Sequence, residues 1–128
     1  MRFHLDTDFL IHALAHRGPE RARLEELAAS DSRIQMSAVA WYELCRGPRT
    51  PDQLAVARAF LFEDGVVPFS EALAERAADV FRILGQPRKR AADIAIGVTA
   101  AHCEATLLSR NGEDFVGIPG LVLEAVSE

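Results

Sequence analysis

Carboxylates are the residues of this chain whose types and spacing could do chemistry together. Asp6 closes the run Phe3-His4-Leu5-Asp6, and Glu43 lies in Ser37-Ala38-Val39-Ala40-Trp41-Tyr42-Glu43-Leu44. Asp93 heads Asp93-Ile94-Ala95-Ile96-Gly97-Val98-Thr99-Ala100-Ala101, and Asp114 ends Ser109-Arg110-Asn111-Gly112-Glu113-Asp114. Carboxylates brought together raise one another's pKa values. Divalent cations relieve that repulsion, and an all-oxygen ligand set suits Mg²⁺ or Mn²⁺. An ion held there can lower the pKa of a water and orient it for in-line attack on a phosphodiester. A second ion, about 4 Å away, can stabilise the leaving oxygen.

Each acid also has a local explanation. Asp6 can cap the helix that follows it. Asp93, in the first turn of its own helix, can serve the macrodipole. Glu43 can be a solvated helix residue and Asp114 a turn residue. The intervals between them exceed the reach of any local rule. Asp93 has the most telling context, because its helix is apolar nearly all round and is therefore expected to be buried. A charge at the head of a buried helix needs a partner. No Arg or Lys within that helix supplies one; a metal ion would.

The elements that must position these residues alternate between strand and helix. Phe3–Leu5, Ile34–Met36, Val66–Val67, Thr106–Leu108 and Leu121–Glu124 are the strand candidates. Apolar residues at helical spacing predict helices over Asp8–His16, Glu20–Ala29, Ser37–Arg46, Thr50–Phe62, Ser70–Leu84 and Ala91–His102. Pro19 suits a first helical turn. Thr50-Pro51-Asp52-Gln53 has the form of a capping box, and Gly18-Pro19, Gly47-Pro48 and Gly85-Gln86-Pro87 punctuate the chain. Strands separated by helices imply a parallel sheet covered on both faces. Ligands of such sheets bind beyond the carboxyl ends of the strands. Asp6 and Asp114 follow strand candidates, so both fall at that end.

Bulk properties limit the alternatives. The 128 residues, 49% hydrophobic and 26% charged, fit one globular domain over 1–128. The net charge of -5 argues against a general nucleic-acid binder, though not against a nuclease whose cations neutralise substrate phosphate. Thirteen of the 14 basic residues are Arg. Arg46 with Arg49, and Arg88-Lys89-Arg90, form clusters open to two readings, solvated surface or phosphate contact. Cys45 and Cys103 read as free, buried thiols of a reducing compartment. No targeting segment and no membrane-length apolar run is visible, so the chain reads as a soluble, cytoplasmic protein. His12 and His16 share a helix face without an accompanying zinc motif and read as a surface pair. Trp41 and Tyr42 read as core or interface residues.

In three blocks the sequence resembles PIN-domain nucleases, in particular the VapC-type toxins of bacterial toxin–antitoxin pairs. These are Phe3 to Ile11, Ser37 to Leu44, and Asp93 to Ala101 followed by Thr106 to Phe115. Block order and spacing match over essentially the whole chain. The resemblance implies a three-layer α/β/α fold with a mainly parallel sheet, and Mg²⁺ or Mn²⁺ held by Asp6, Glu43, Asp93 and Asp114. It implies supporting roles for Thr7, Ser109 and Asn111, a ribonuclease activity, a homodimer, and an antitoxin partner whose peptide lies across the site. Asp114 is the acid whose role varies most in the family. Asp8 departs from a position often neutral in relatives; it can widen the acidic pocket or cap the first helix.

Two other classes of function compete. Asp6-Thr7-Asp8 is similar to the paired aspartates of haloacid-dehalogenase-type phosphatases. Those enzymes also need a catalytic Lys and a later acidic pair, whereas Lys89 is the only Lys and no such pair follows Thr106–Leu108. A receiver domain is disfavoured because no Asp ends the strand Val66–Val67 and no Lys ends the strand Thr106–Leu108. A non-catalytic PIN-like interaction module would be favoured by a missing carboxylate, and all four are present.

Overall fold

The computed structural model describes residues 1–127. The chain runs β1 (Arg2–Leu5), α1 (Thr7–Ala15), α2 (Pro19–Ala28), β2 (Arg33–Ser37), α3 (Ala38–Arg46), α4 (Pro51–Ala59), β3 (Val66–Val67), α5 (Glu71–Ile83), α6 (Ala91–His102), β4 (Thr106–Ser109) and β5 (Val122–Ala125). Short 3-10 turns at Arg88–Arg90 and Gly112–Phe115 precede α6 and follow β4. The five strands form one parallel sheet in the order β3-β2-β1-β4-β5.

This order makes β1 the point where the winding reverses. Right-handed crossovers carry α1–α2 and α3–α4 over one face as the chain steps from β1 to β2 to β3. The return to β4, on the other side of β1, lays α5 and α6 on the opposite face. The expected three-layer α/β/α architecture results. α1 packs on α2 and α3, and α5 on α6, while α3 also touches α6 across the layers.

The core follows from strands apolar on both faces. Phe3, Leu5, Ile34, Met36, Leu107 and Leu108 are buried, with Phe9, Leu10, Leu24, Leu44, Ile94, Ile96 and Val98 against them from the helices. One polar pair sits in the middle of the sheet. His4 Nε2 lies 3.2 Å from Gln35 Oε1, and burial pushes the imidazole down to a pKa of about 4. Helix α6 presses close to the chain that follows β4. At Gly97 an added Cβ would stand 2.5 Å from Ile118 Cδ1, so any larger residue there would force the Ile118 side chain to move.

Two expectations are corrected. Helix α4 stops at Ala59 rather than reaching Phe62. Its end tightens, Phe60 and Leu61 donating to Ala57 and Arg58, and Phe62 N then donates to Ile34 O of β2 at 3.2 Å. The sheet thus claims backbone groups that a longer helix would have used. Both cysteines are free, as expected, but neither is buried: Cys45 is exposed and Cys103 half-buried. The expected capping box at Thr50 and Gln53 is formed, and Ser37 and Ser70 cap α3 and α5 through their hydroxyls. Among the described residues no helix is long and apolar enough to cross a membrane.

Candidate active site

A cleft of about 430 Å³ opens at the carboxyl end of β1 and β4. Asp6, Asp8, Glu43, Asp93 and Asp114 line it, together with Thr7, Ser109 and Asn111, and the cations Arg46 and Arg49 stand on its wall. Four separate elements bring the four expected acids there: the end of β1, the middle of α3, the first turn of α6, and the 3-10 turn after β4.

Strand register does the first part of this. Leu5 pairs with Leu108, and Asp6 N donates to Leu108 O at 3.0 Å. The residue after β1 therefore lies beside Ser109. The Ser109 hydroxyl is 3.2 Å from Asp6 Oδ2 and accepts from Asn111 N at 3.1 Å. Asp6 occupies the N-cap position of α1, but its side chain caps nothing. It is 8% exposed and points to the cleft instead. Burial raises its pKa to about 7, the charge of Asp93 adds to that, and the Ser109 hydroxyl opposes it.

Thr7 connects the first and second acids. Its Oγ1 stands 2.9 Å from Glu43 Oε1 and 3.2 Å from Ala40 O. A hydroxyl has one proton to donate, and the shorter, charge-assisted bond goes to the carboxylate. Arg46 lies one helical turn beyond Glu43 and 3.8 Å from it.

Asp93 is half-buried, and its pKa is raised to about 6 by burial first and then by the charges of Asp114 and Glu43; Arg90 opposes the shift. Arg90 has a second task. Its Nε donates to Asp114 O at 3.0 Å and its Nη2 to Val116 O at 2.6 Å. One side chain at the start of α6 thus holds the turn that carries Asp114. Of the basic cluster, Arg88 and Lys89 are exposed and only Arg90 is engaged in this way.

Asp8 lines the cleft and is also 3.4 Å from Arg110 Nη1. Arg110 Nε in turn donates to Glu20 at 3.0 Å, and the Glu20 side chain is 3% exposed. This pair ties α2 to the loop that holds Ser109 and Asn111. Arg110 and Glu20 did not stand out as site residues in the sequence, and Arg90 did so only within a basic cluster open to a phosphate-contact reading, not as a clamp on the Asp114 turn. Each acts on a partner 24 or more positions away, and no local pattern marks such a pair. His12 and His16 stack with ring centroids 4.5 Å apart, outside this cleft. Trp41 packs against the core, and Tyr42 is 62% exposed with Arg46 over its ring.

The donor set suits a hard divalent cation, since every candidate ligand is an oxygen. Burial first, and then the charge of neighbouring carboxylates, raises the pKa values of Asp6 and Asp93, and a bound cation would offset both. Among the described residues no three Asp, Glu, His or Cys side chains converge closely enough to grip one ion directly.

The chain belongs to the PIN domain family, whose model matches residues 4–121. The fold is that of VapBC structures. It is similar to a chain of VapBC2 from Rickettsia felis, bound to a DNA fragment from their promoter, at 21% identity and a TM-score of 0.76, covering 99% of this chain and 100% of that one. It is similar to a chain of a toxin–antitoxin complex from Klebsiella pneumoniae at 26% identity and TM-score 0.68, covering 93% and 94%. A chain of VapBC-1 from nontypeable Haemophilus influenzae matches at 19% identity and TM-score 0.71, covering 98% of both. No curated protein matches in sequence.

Proposed function

We propose that this PIN-domain protein is a divalent-metal-dependent endoribonuclease and the toxin of a VapC-type toxin–antitoxin pair. The observation that carries the reading is the meeting of Asp6, Glu43, Asp93 and Asp114 in one cleft at the carboxyl end of the sheet. Similarity to toxin–antitoxin complexes supports an antitoxin partner. The cytoplasm as its compartment and a homodimer as its assembly belong to the same reading.

Asp6, Glu43, Asp93 and Asp114 would hold Mg²⁺ or Mn²⁺, directly or through its waters. Such an ion supplies Lewis-acid activation of a water and offsets phosphate charge. The protein's residues do the rest. Ser109 orients the Asp6 carboxylate, and Thr7 holds Glu43 through Oε1 while Oε2 stands 3.8 Å from Arg46. One carboxylate of the cleft accepts the single proton that the attacking water loses. Oriented dipoles and a fixed carboxylate frame cost no reorganisation when the phosphodiester reacts.

The test is cleavage of total bacterial RNA by antitoxin-free protein, with new 5′ ends mapped by sequencing. Wild type and Asp93→Asn are compared, each with Mg²⁺ and with chelator. Discrete cuts that need both the metal and Asp93 are expected. Cuts that persist with Asp93→Asn or in chelator would sink the reading. Absence of cuts from folded wild type that binds Mn²⁺ would move it to a non-catalytic interaction module.

A further inference from the structure

The geometry points to Arg49 as the residue that holds a backbone phosphate of the RNA strand next to the scissile one, an inference that rests on the nuclease reading above. The cleft wall carries two guanidinium groups, Arg46 and Arg49, against five carboxylates. Arg46 is committed: it stands 3.8 Å from Glu43 and over the Tyr42 ring. Arg49 is not, for among the described residues it pairs with no carboxylate. It is nonetheless held in place. Its Nη1 donates to Leu44 O at 3.0 Å, near the end of α3, and the guanidinium lies against Gly47. A Cβ at position 47 would fall 1.8 Å from that Nη1, so position 47 has to be glycine for Arg49 to sit where it does.

The bond to Leu44 uses one of the five N–H donors of the guanidinium. The remainder form a planar fork suited to a phosphate, already oriented before substrate arrives. The tether also limits its reach. With no carboxylate oxygen within 4.0 Å, Arg49 stands on the wall beside the acidic cluster rather than in it. A strand whose scissile phosphate lies at Asp6 and Asp93 passes its neighbouring phosphate across that wall. Arg49 is then a binding contact of the ground state and the transition state alike. Its loss weakens binding and leaves the chemical step alone.

The experiment is steady-state cleavage of a short RNA that contains one mapped site, over a range of salt concentrations. Arg49→Ala is expected to raise KM about tenfold with kcat within about twofold of wild type. The slope of log binding against log salt should fall by about 0.7, the value for one lost phosphate contact on a single strand. Arg49→Lys should recover part of the affinity as a point charge. Gly47→Ala keeps the charge and displaces the guanidinium, so it should raise KM as well. An active enzyme whose KM and salt slope are unmoved by Arg49→Ala would overturn the assignment, as would a loss of kcat at constant KM. Normal cleavage by Arg49→Ala with lost inhibition by the antitoxin would give Arg49 to the protein partner instead. Failure of wild type to cleave RNA at all would defeat the nuclease reading rather than Arg49 in particular.

Discussion

The Ser109 hydroxyl lies 3.2 Å from Asp6 Oδ2 although the two residues are 103 positions apart. The register of β1 against β4 creates this contact, with Leu5 opposite Leu108. The bond favours the charged form of a carboxylate that burial and Asp93 push toward protonation. Ser109→Ala should therefore raise the Asp6 pKa further and weaken metal binding about tenfold at pH 7, the usual cost of losing a group that orients a ligand. Titration with Mn²⁺ at pH 7 and pH 8.5 checks this. The deficit should shrink at the higher pH, where Asp6 ionises without help. A deficit equal at both values would show that Ser109 acts on position alone.

Asp6→Asn and Asp93→Asn should each abolish cleavage while the protein remains folded. The side chains differ little in volume, and the charge that is lost is one the fold tolerates rather than needs. Circular dichroism and RNA cleavage on the same samples test it. Residual cleavage above about 1% in both variants would remove these residues from the site; catalytic groups that act as a unit cost far more than that when removed.

The same two acids predict how stability depends on pH without metal. Unfolded Asp6 releases its proton near 3.8, and folded Asp6 only near 7. Between those values the folded state binds more protons, so the contribution of Asp6 to stability falls as pH rises across that window and stays low above it. The full effect is on the order of 4 kcal/mol. His4 acts in the opposite sense between about pH 4 and 6.5, because its folded pKa is lowered. Comparison with Asp6→Asn isolates the aspartate. In chelator at pH 8 the variant should be more stable than wild type toward urea, and at pH 4 the two should be close. A variant less stable than wild type at pH 8 would contradict the cost of burying the Asp6 charge beside Asp93.

Divalent metal should reverse that penalty. Mg²⁺ or Mn²⁺ binds the folded state alone and stabilises it by mass action, about 2.7 kcal/mol at a hundredfold excess over Kd. Protons compete for the same carboxylates, so the gain in Tm should be large at pH 8 and small at pH 5. Thermal melts with Mn²⁺ and with chelator at the two pH values are sufficient. An equal gain at both would place the ion elsewhere.

Arg90→Ala should loosen the turn that carries Asp114 without opening the core, since among the described residues the Arg90 side chain bonds only to the carbonyls of Asp114 and Val116. Activity is expected to fall about 10- to 100-fold, as for other residues that orient ligands, with little change in Tm. Arg90→Lys should not rescue it, because one ammonium cannot span both carbonyls as the guanidinium fork does. Full activity of Arg90→Ala would mean that Asp114 needs no such clamp.

How much of this could be read without the structure depends on the range of the cause. Helix and strand positions follow from apolar spacing, from caps such as Ser37, Thr50 and Ser70, and from glycine–proline breaks. All of these act within a few residues. The placement of Asp6 after a strand and of Asp93 at the head of an apolar helix was legible for the same reason, and block order supplied the family. Even so, α4 ended early, because the backbone of β2 outcompeted its last turn. The two thiols lie nearer the surface than their residue type implied.

What only the tertiary structure decided are the pairs across the sheet: Ser109 with Asp6, Thr7 with Glu43, Arg90 with the turn of Asp114, and Arg110 with Glu20 and Asp8. Each needs two elements brought into register by packing, and a shift of one residue in β1 or β4 would turn its side chains to the other face of the sheet. The sequence by itself determined which acids were available and on which elements they ride. Long-range strand pairing and helix packing determined which of them share a cleft and how far each is pushed from its ordinary pKa, because desolvation and charge–charge repulsion depend on distances that no local pattern sets.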